Sequence, residues 1–301
     1  MACNHPIMAL DLGLKPSKQD PDKLVRDIKF LPVHKDWSFE KYQNLYGDRL
    51  LMLPCGHCFG CSQSYAREWS SRIMLEAKKY ADNCFITLTF DDDHVPERLE
   101  KAPFQKFMKR LRKYFPQKIR FFACGECGEK SERPHYHAVL FNVDFDDKEF
   151  LKRSKSGLII YRSKLLEKLW PYGISSIGDV TDASAQYVAK YSMKRKISKI
   201  DRGEFVLMSR MPGIGQDSYD ESIYESDRIY VSGKSFKVPR YFDKLADKEG
   251  SILFEYTKEM RLRNAKKIPL SMYKLGLAHQ EEAYKKQEDD AIYKDALKVR
   301  L

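Results

Sequence analysis

The chain has 301 residues, 43% of them hydrophobic and 32% charged, enough apolar material for one large packed domain or two modest ones. Lys and Arg outnumber Asp and Glu by 54 to 43, a net charge of +11 that favours a polyanionic partner, with RNA, DNA and anionic lipid all suited by charge alone. No apolar run approaches the ~18 residues of a spanning helix. The N-terminus also lacks the basic-then-apolar pattern of a secretory signal, so the expectation is a soluble protein made in a cytoplasm, with no membrane partner.

Residues 1 to 50 show no clear period, and Pro6, Pro16, Pro21 and Pro32 argue for loops and short pieces. Residues 61 to 80 read as a helix, with Ala66, Trp69, Ile73 and Ala77 at helical spacing. Cys84 to Phe90 is a β-branched and aromatic run, hence a strand, stopped by Asp91-Asp92-Asp93. Pro103 to Phe115 is amphipathic, with Pro103 suited to a first helical turn. Lys118 to Cys124 and Pro134 to Val143 are two strands joined by the polar turn Gly125 to Arg133. The second carries apolar residues on both parities after His137, so it is expected at the centre of a sheet covered on both faces.

Ser163 to Trp170 is helical, Pro171-Tyr172-Gly173 breaks it, and Ile174 to Val180 is a short strand. Asp182 or Ser184 can cap a helix running to about Ser198. Gly203 to Gly233 is rich in turns, and residues 251 to 301 read as two charged helices. The order β-α-β-β-α-β-α predicts an α+β fold with a mainly antiparallel central sheet and flanking helices. Three parts are expected: an N-terminal Cys-rich segment and helix at 1–80, a core at 81–200 and a C-terminal extension at 201–301.

Two features carry chemistry. His135 and His137, at i and i+2 on a strand, point to one face. Glu126, near the end of the neighbouring strand, can complete a mixed nitrogen and oxygen site, with Glu129 as a competitor. Carboxylate and water suit Mg²⁺ or Mn²⁺, and imidazole tilts the choice to Mn²⁺. Tyr187 and Tyr191, with Lys190 between them, share one helix face. A tyrosine pair suits a nucleophile that acts twice, and a nearby cation offsets the cost of ionising a phenol. Thr87 and Thr89 share a strand face, where they either line the site or simply half-bury.

Seven cysteines, at 3, 55, 58, 61, 84, 124 and 127, are an odd number, pointing to metal ligands or buried thiols rather than disulfides. Cys55, Cys58 and Cys61 with Cys3 can make a structural Zn²⁺ site, with His5 and His57 as substitute fourth ligands. The same triplet can also cap the following helix without metal. The pair Cys124 and Cys127 reads as incidental. Basic clusters at Lys106 to Lys113, Lys190 to Lys199 and Lys258 to Lys267 lie near Phe104, Phe107, Tyr114, Phe115 and Tyr191, an interleaving that suits single-stranded nucleic acid as well as ordinary amphipathic helices. Gly233-Lys234-Ser235 echoes a phosphate-binding loop, but Arg228 stands where the first glycine belongs, so no helicase is expected.

Arg133-Pro134-His135-Tyr136-His137, the preceding Gly125-Glu126, Tyr187-x-x-Lys190-Tyr191, Pro54-Cys55-x-x-Cys58-x-x-Cys61 and the run Phe85 to Phe90 together resemble the HUH endonucleases. The nearest resemblance is to the replication initiators of gokushoviruses, small single-stranded DNA phages of the Microviridae. The resemblance implies a ferredoxin-like or RRM-like sheet with the catalytic helix packed across it, and two histidines with an acidic or polar third metal ligand. It implies nicking of single-stranded DNA at a viral replication origin through a 5′-phosphotyrosine, rejoining by strand transfer, and rolling-circle replication in the host bacterial cytoplasm beside host helicase and polymerase. The competing readings are a non-enzymatic zinc-containing nucleic-acid-binding protein and an HUH transposase or relaxase. Two tyrosines and the cysteine triplet favour the phage initiator over a one-tyrosine transposase.

Overall fold

The computed structural model describes residues 3, 6–18, 21–22, 24–32, 39–56, 58–128, 133–154, 157–191 and 202–266, with backbone alone at 39, 40, 59, 191, 262 and 264–266. The chain divides into two compact units, residues 1–62 with 268–301, and residues 63–267.

In the first unit, β1 (Ile7–Pro16) pairs antiparallel with β2 (Leu24–Phe30) and with β3 (Leu50–Leu53), and α1 (Phe39–Tyr46) precedes β3. Leu10, Leu31 and Tyr42 form its small core, and the Tyr42 hydroxyl donates to the Pro32 carbonyl at 2.6 Å. The expectation of loops and short pieces over residues 1 to 50 missed the ten-residue β1. The second half of that strand is exposed, so its residues carry no buried-face alternation to read.

In the second unit, seven described strands form one sheet in the order β10-β5-β6-β4-β9-β8-β7, every pair antiparallel. They are β4 (Asn83–Phe90), β5 (Arg120–Cys127), β6 (Pro134–Phe141), β7 (Glu149–Arg153), β8 (Ile159–Arg162), β9 (Gly173–Gly178) and β10 (Phe205–Met208). The α+β, antiparallel expectation is borne out, and β6 is central with both faces covered. On one face Ile86, Leu88, Tyr136, Ala138 and Leu140 pack under α3 (Ala102–Tyr114) and α4 (Lys164–Leu169), through Phe104, Phe107, Leu111, Leu166 and Trp170. On the other, Phe122, Val139 and Phe141 pack under α2 (Phe59–Ala77) and α5 (Asp182–Tyr191), through Ile73, Ala185 and Val188. Each strand residue thus belongs to one of two apolar layers by parity alone.

The hairpin β7–β8 and the strand β10 escaped the sequence reading, because four or five residues of a bulged edge or a half-buried strand are too short to show a period. Phe104 and Phe107 are fully buried, so they pack the core and cannot stack on bases; of the aromatics on or next to α3, Tyr114 is the exposed one. The region 203–233 holds β10, α6 (Ile223–Ser226) and the start of the hairpin β11 (Arg228–Val231) to β12 (Lys234–Lys237). Gly233 and Ser232 turn that hairpin with positive φ, which explains the phosphate-loop echo as hairpin geometry. Then come α7 (Arg240–Glu249) and α8 (Ile252–Lys266), closing a satellite core around Tyr224, Phe242 and Phe254.

One buried ion pair ties this unit together. Arg120 at the start of β5 donates through Nε to Glu76 Oε1 on α2 at 2.5 Å, and through Nη2 to the carbonyls of Pro212 and Gly213. The Gly215 amide donates to Glu76 Oε2 at 2.7 Å. Both side chains are buried. Removing one charge strands the other in the interior, which costs about 3–5 kcal/mol. Glu76→Gln is therefore expected to lower the unfolding free energy by about 3 kcal/mol or more, read by urea denaturation. A loss under about 1 kcal/mol would show that the pair behaves as a surface contact.

Candidate functional site

Strand register builds the site. Glu126 on β5 lies opposite His135 on β6, and Cys124 lies opposite His137. On the other flank of β6, Thr89 and Thr87 of β4 lie opposite the same two histidines. Alternation sends His135 and His137 to the α2/α5 face and Tyr136 to the α3/α4 face. Tyr136 is fully buried, packs against Phe90, Phe104, Trp170 and Phe205, and donates its hydroxyl to the Glu100 carbonyl at 2.7 Å. That anchorage holds the imidazoles on the opposite side. Gly125 serves the same end: a Cβ there would meet Leu99 Cδ2 at 2.7 Å and Phe205 Cε1 at 2.8 Å, so a side chain would crowd the neighbour of Glu126. The polar turn expected at 125–133 begins later than predicted, since β5 continues to Cys127 and places Glu126 within the strand.

His135 Nε2 and His137 Nε2 lie 3.0 Å and 3.2 Å from one oxygen of Glu126. The three ligand atoms all lie within 4.8 Å of one another. Burial raises the Glu126 carboxyl, but the two imidazoles more than offset this and hold it below its ordinary value. His135 Nδ1 lies 2.9 Å from the Arg133 carbonyl, which can only accept, so Nδ1 carries a proton and Nε2 faces the carboxylate. An imidazole lone pair facing a carboxylate is favourable only with a cation between them, either a second proton or a metal ion. Cis ligands at about 2.1 Å from an octahedral ion stand about 3 Å apart, the spacing seen here. The donor set fits a divalent ion.

His137 is further held by Thr87 Oγ1, 3.0 Å from its Nδ1, and by Phe85, whose ring stacks on it at 5.6 Å. Tyr187 of α5 sets its ring edge-on to His137, with centroids 5.0 Å apart, and remains 41% exposed. Ala185 and Val188 fix that helix to the sheet. Its cap is Thr181, not Asp182 or Ser184 acting alone: Thr181 Oγ1 accepts from the Ser184 amide, and Ser184 Oγ accepts from the Thr181 amide. Asp182 instead accepts from Ser70 and Lys234. Lys190 is exposed in the last turn of α5. The side chain of Tyr191, the helix expected over 192–198, the lysine cluster there and the competitor Glu129 lie outside the described residues.

Cys3, Cys55, Cys58 and Cys61 converge in the first unit, their sulfurs all within 4.8 Å of one another. The Cys55 and Cys58 amides donate to the sulfurs of Cys3 and Cys55, and the Gly56 amide donates to Cys61. Burial pushes the Cys61 thiol up, against the Gly56 amide, and the neighbouring Cys3 and Cys58 add to the rise. Such a crowd of free thiols is compatible with a metal ion. The substitutes His5 and His57 lie outside the described residues. Cys124 and Cys127 sit on opposite faces of β5 by parity, so they do not chelate together.

The fold and the two ligand clusters define an α+β protein with a metal-compatible site on the face of an antiparallel sheet. The family described as Replication-associated protein of the ORF2 type matches residues 83–196. The chain is 36% identical over 245 residues to Replication-associated protein ORF2 of Spiroplasma virus 4, covering 71% of this chain and 74% of that protein. It is 30% identical over 233 residues to Replication-associated protein ORF4 of Chlamydia phage 1, covering 70% of this chain and 58% of that one. It is 31% identical over 206 residues to Replication-associated protein VP4 of Bdellovibrio phage phiMH2K, covering 63% and 65%. No solved structure matches the chain. The chain belongs to this family of phage replication-associated proteins, and the resemblance to Microviridae initiators is borne out. Among the described residues no helix is long and apolar enough to cross a membrane.

Thr87→Val removes the hydroxyl beside His137 at nearly constant volume. Partners of this kind typically contribute about 10–100-fold to metal affinity. Titration calorimetry with Mn²⁺ is expected to show about a tenfold or larger loss, with Thr87→Ser close to wild type. Equal affinity in all three proteins would refute the positioning role.

Proposed function

We propose that the protein is a rolling-circle replication initiator of the HUH endonuclease type. It nicks single-stranded DNA at a viral origin by tyrosine attack and rejoins ends by strand transfer, with this chemistry housed in residues 81–200. The observation that carries the reading is the edge-on contact between Tyr187 and His137, which sets a part-exposed phenol beside the Glu126, His135 and His137 donor set. A divalent ion held by those three residues, Mn²⁺ or Mg²⁺, would supply Lewis-acid stabilisation of charge on the scissile phosphate.

The chain's own residues do the rest. The Tyr187 oxygen bonds to phosphorus as the bond to the 3′ oxygen breaks, leaving a 5′-phosphotyrosine and a 3′-hydroxyl. A phenol ionises near pH ~10, so its proton must pass to a base while a cation steadies the oxygen. Lys190, three residues on, shares the helix surface with Tyr187 and supplies that cation. The phosphotyrosine conserves the bond energy, so the 3′-hydroxyl or the second phenol, Tyr191, can reverse the step. Unwinding and synthesis then fall to host helicase and polymerase.

The four cysteines are proposed to hold a structural Zn²⁺. Four sulfurs at about 2.3 Å from a tetrahedral ion stand about 3.8 Å apart. Cys55 and Cys61 are 4.0 Å apart and Cys58 and Cys3 are 3.8 Å apart, far from the ~2.05 Å of a disulfide.

Two expected outcomes follow from these roles. Tyr187→Phe and Tyr191→Phe singly should each leave some denaturant-resistant adduct on a single-stranded oligonucleotide, and the double variant none, with melting temperatures unchanged because the rings remain. An adduct mapped by mass spectrometry outside 187–191 would overturn the mechanism. Replacing Cys55 and Cys58 with serine should remove about one zinc per chain and lower thermal stability; elemental analysis of chelator-free wild-type protein without zinc would end that assignment.

A further inference from the structure

The sheet has a second polar concavity, at the opposite end of β5 from Glu126. A cleft of about 370 Å³ is lined by Arg112, Lys118, Arg120, Ser209, Arg210 and Met211, together with Gln117 and Ile119. Arg112, Lys118 and Arg210 are exposed, and no acidic side chain lines the cleft. None of the three forms an ion pair among the described residues; Arg112 has a carbonyl, that of Ile119, and the ring of Phe121. Cations gathered without counter-charge repel one another, so the cleft lowers its free energy by taking an anion.

A second observation is independent of the surface charges. Arg120 is only 3% exposed, and its Nη1 has no hydrogen-bond partner although Nε and Nη2 are both satisfied. A guanidinium offers five donors, and a buried donor left unused costs about 1–3 kcal/mol. The rim supplies a third clue: Met211 is 90% exposed, a polarisable apolar surface beside the cations. Phosphate alone has no use for a thioether, whereas a nucleotide brings both a phosphate and a base.

We propose that this cleft binds the sugar–phosphate backbone of single-stranded DNA, with a base against Met211, as a strand-holding subsite remote from the cutting centre. The proposal rests on the reading that the protein acts on single-stranded DNA, and adds where the flanking strand lies. Arg120 and Glu126 are six residues apart on β5, about 20 Å. Their side chains share a sheet face by parity, so a strand crossing the metal-compatible site reaches the cleft a few nucleotides later. The cleft thus retains DNA through contacts that take no part in phosphoryl transfer.

The test is fluorescence anisotropy with short and long oligothymidylates, in chelator so that no cutting occurs. Wild-type protein is expected to gain affinity with length. Replacing Arg112, Lys118 and Arg210 together with glutamine should abolish that gain and reduce the log–log salt slope by about two, at about 0.7 per phosphate contact on a single strand. The control removes equal charge elsewhere on α3, replacing Lys106, Lys109 and Lys113 with glutamine. If the control weakens long-oligonucleotide binding as much as the cleft variant, or if the cleft variant keeps the full length effect, the proposal fails. Inorganic phosphate that competes as well as oligonucleotide would make the site one for free anions and overturn it equally. Arg210→Glu alone, at an exposed position, repeats the test should the triple variant melt early. Adduct formation is measured separately. Loss of length dependence with intact adduct chemistry in the cleft variant supports the subsite, and a wild-type protein that binds by length but never forms an adduct defeats the nicking reading while leaving the subsite standing.

Discussion

The site depends on the pairing register of β5, β6 and β4. Because side chains alternate along a strand, one residue of slip would move Glu126, His135 and His137 into the α3/α4 core and bring Tyr136 out in their place. Burial of Tyr136, Ala138 and Leu140 on one face and Val139 and Phe141 on the other makes that slip costly in both directions. The apolar layers therefore hold the donor atoms where they are, and the histidines need contribute nothing to packing.

Strand β5 carries a buried carboxylate assembly at each end, and the contrast between them separates structure from function. Glu76 meets Arg120, two carbonyls stand at that guanidinium, and a backbone amide donates to the carboxylate. That carboxylate already has its cation. Glu126 meets two imidazoles, one of which has spent its proton on a carbonyl. Its surroundings are complete only when a cation is shared among them, and a phenol stands at the rim. Equal burial thus gives a clamp in one case and a binding site in the other, according to whether the donors are already in place.

Residue type alone did not distinguish contact from coincidence. Phe104 and Phe107 stand among lysines in the sequence but face inward, because the apolar stripe of α3 needs them. Thr87 and Thr89 read alike as strand threonines, yet Thr87 is the one bonded to His137. Arg120 looks like any basic residue, and only its meeting with Glu76, 44 positions earlier, makes it a buried clamp. No local signal could have marked it.

What the sequence determined by itself was local and periodic. Alternation and β-branched content marked β4 and β6, helical spacing marked α2 and α3, and the two-residue spacing of His135 and His137 dictated a shared face. Cysteine spacing marked Cys55, Cys58 and Cys61 as one cluster. Tertiary structure alone decided what depends on separations of many residues. It brought Cys3 to the other three cysteines, set Tyr187 against His137, extended β5 far enough to carry Glu126 within the sheet, and capped α5 through Thr181 and Ser184. The physical reason is that periodicity reports which face a residue presents, whereas register and packing decide what that face meets.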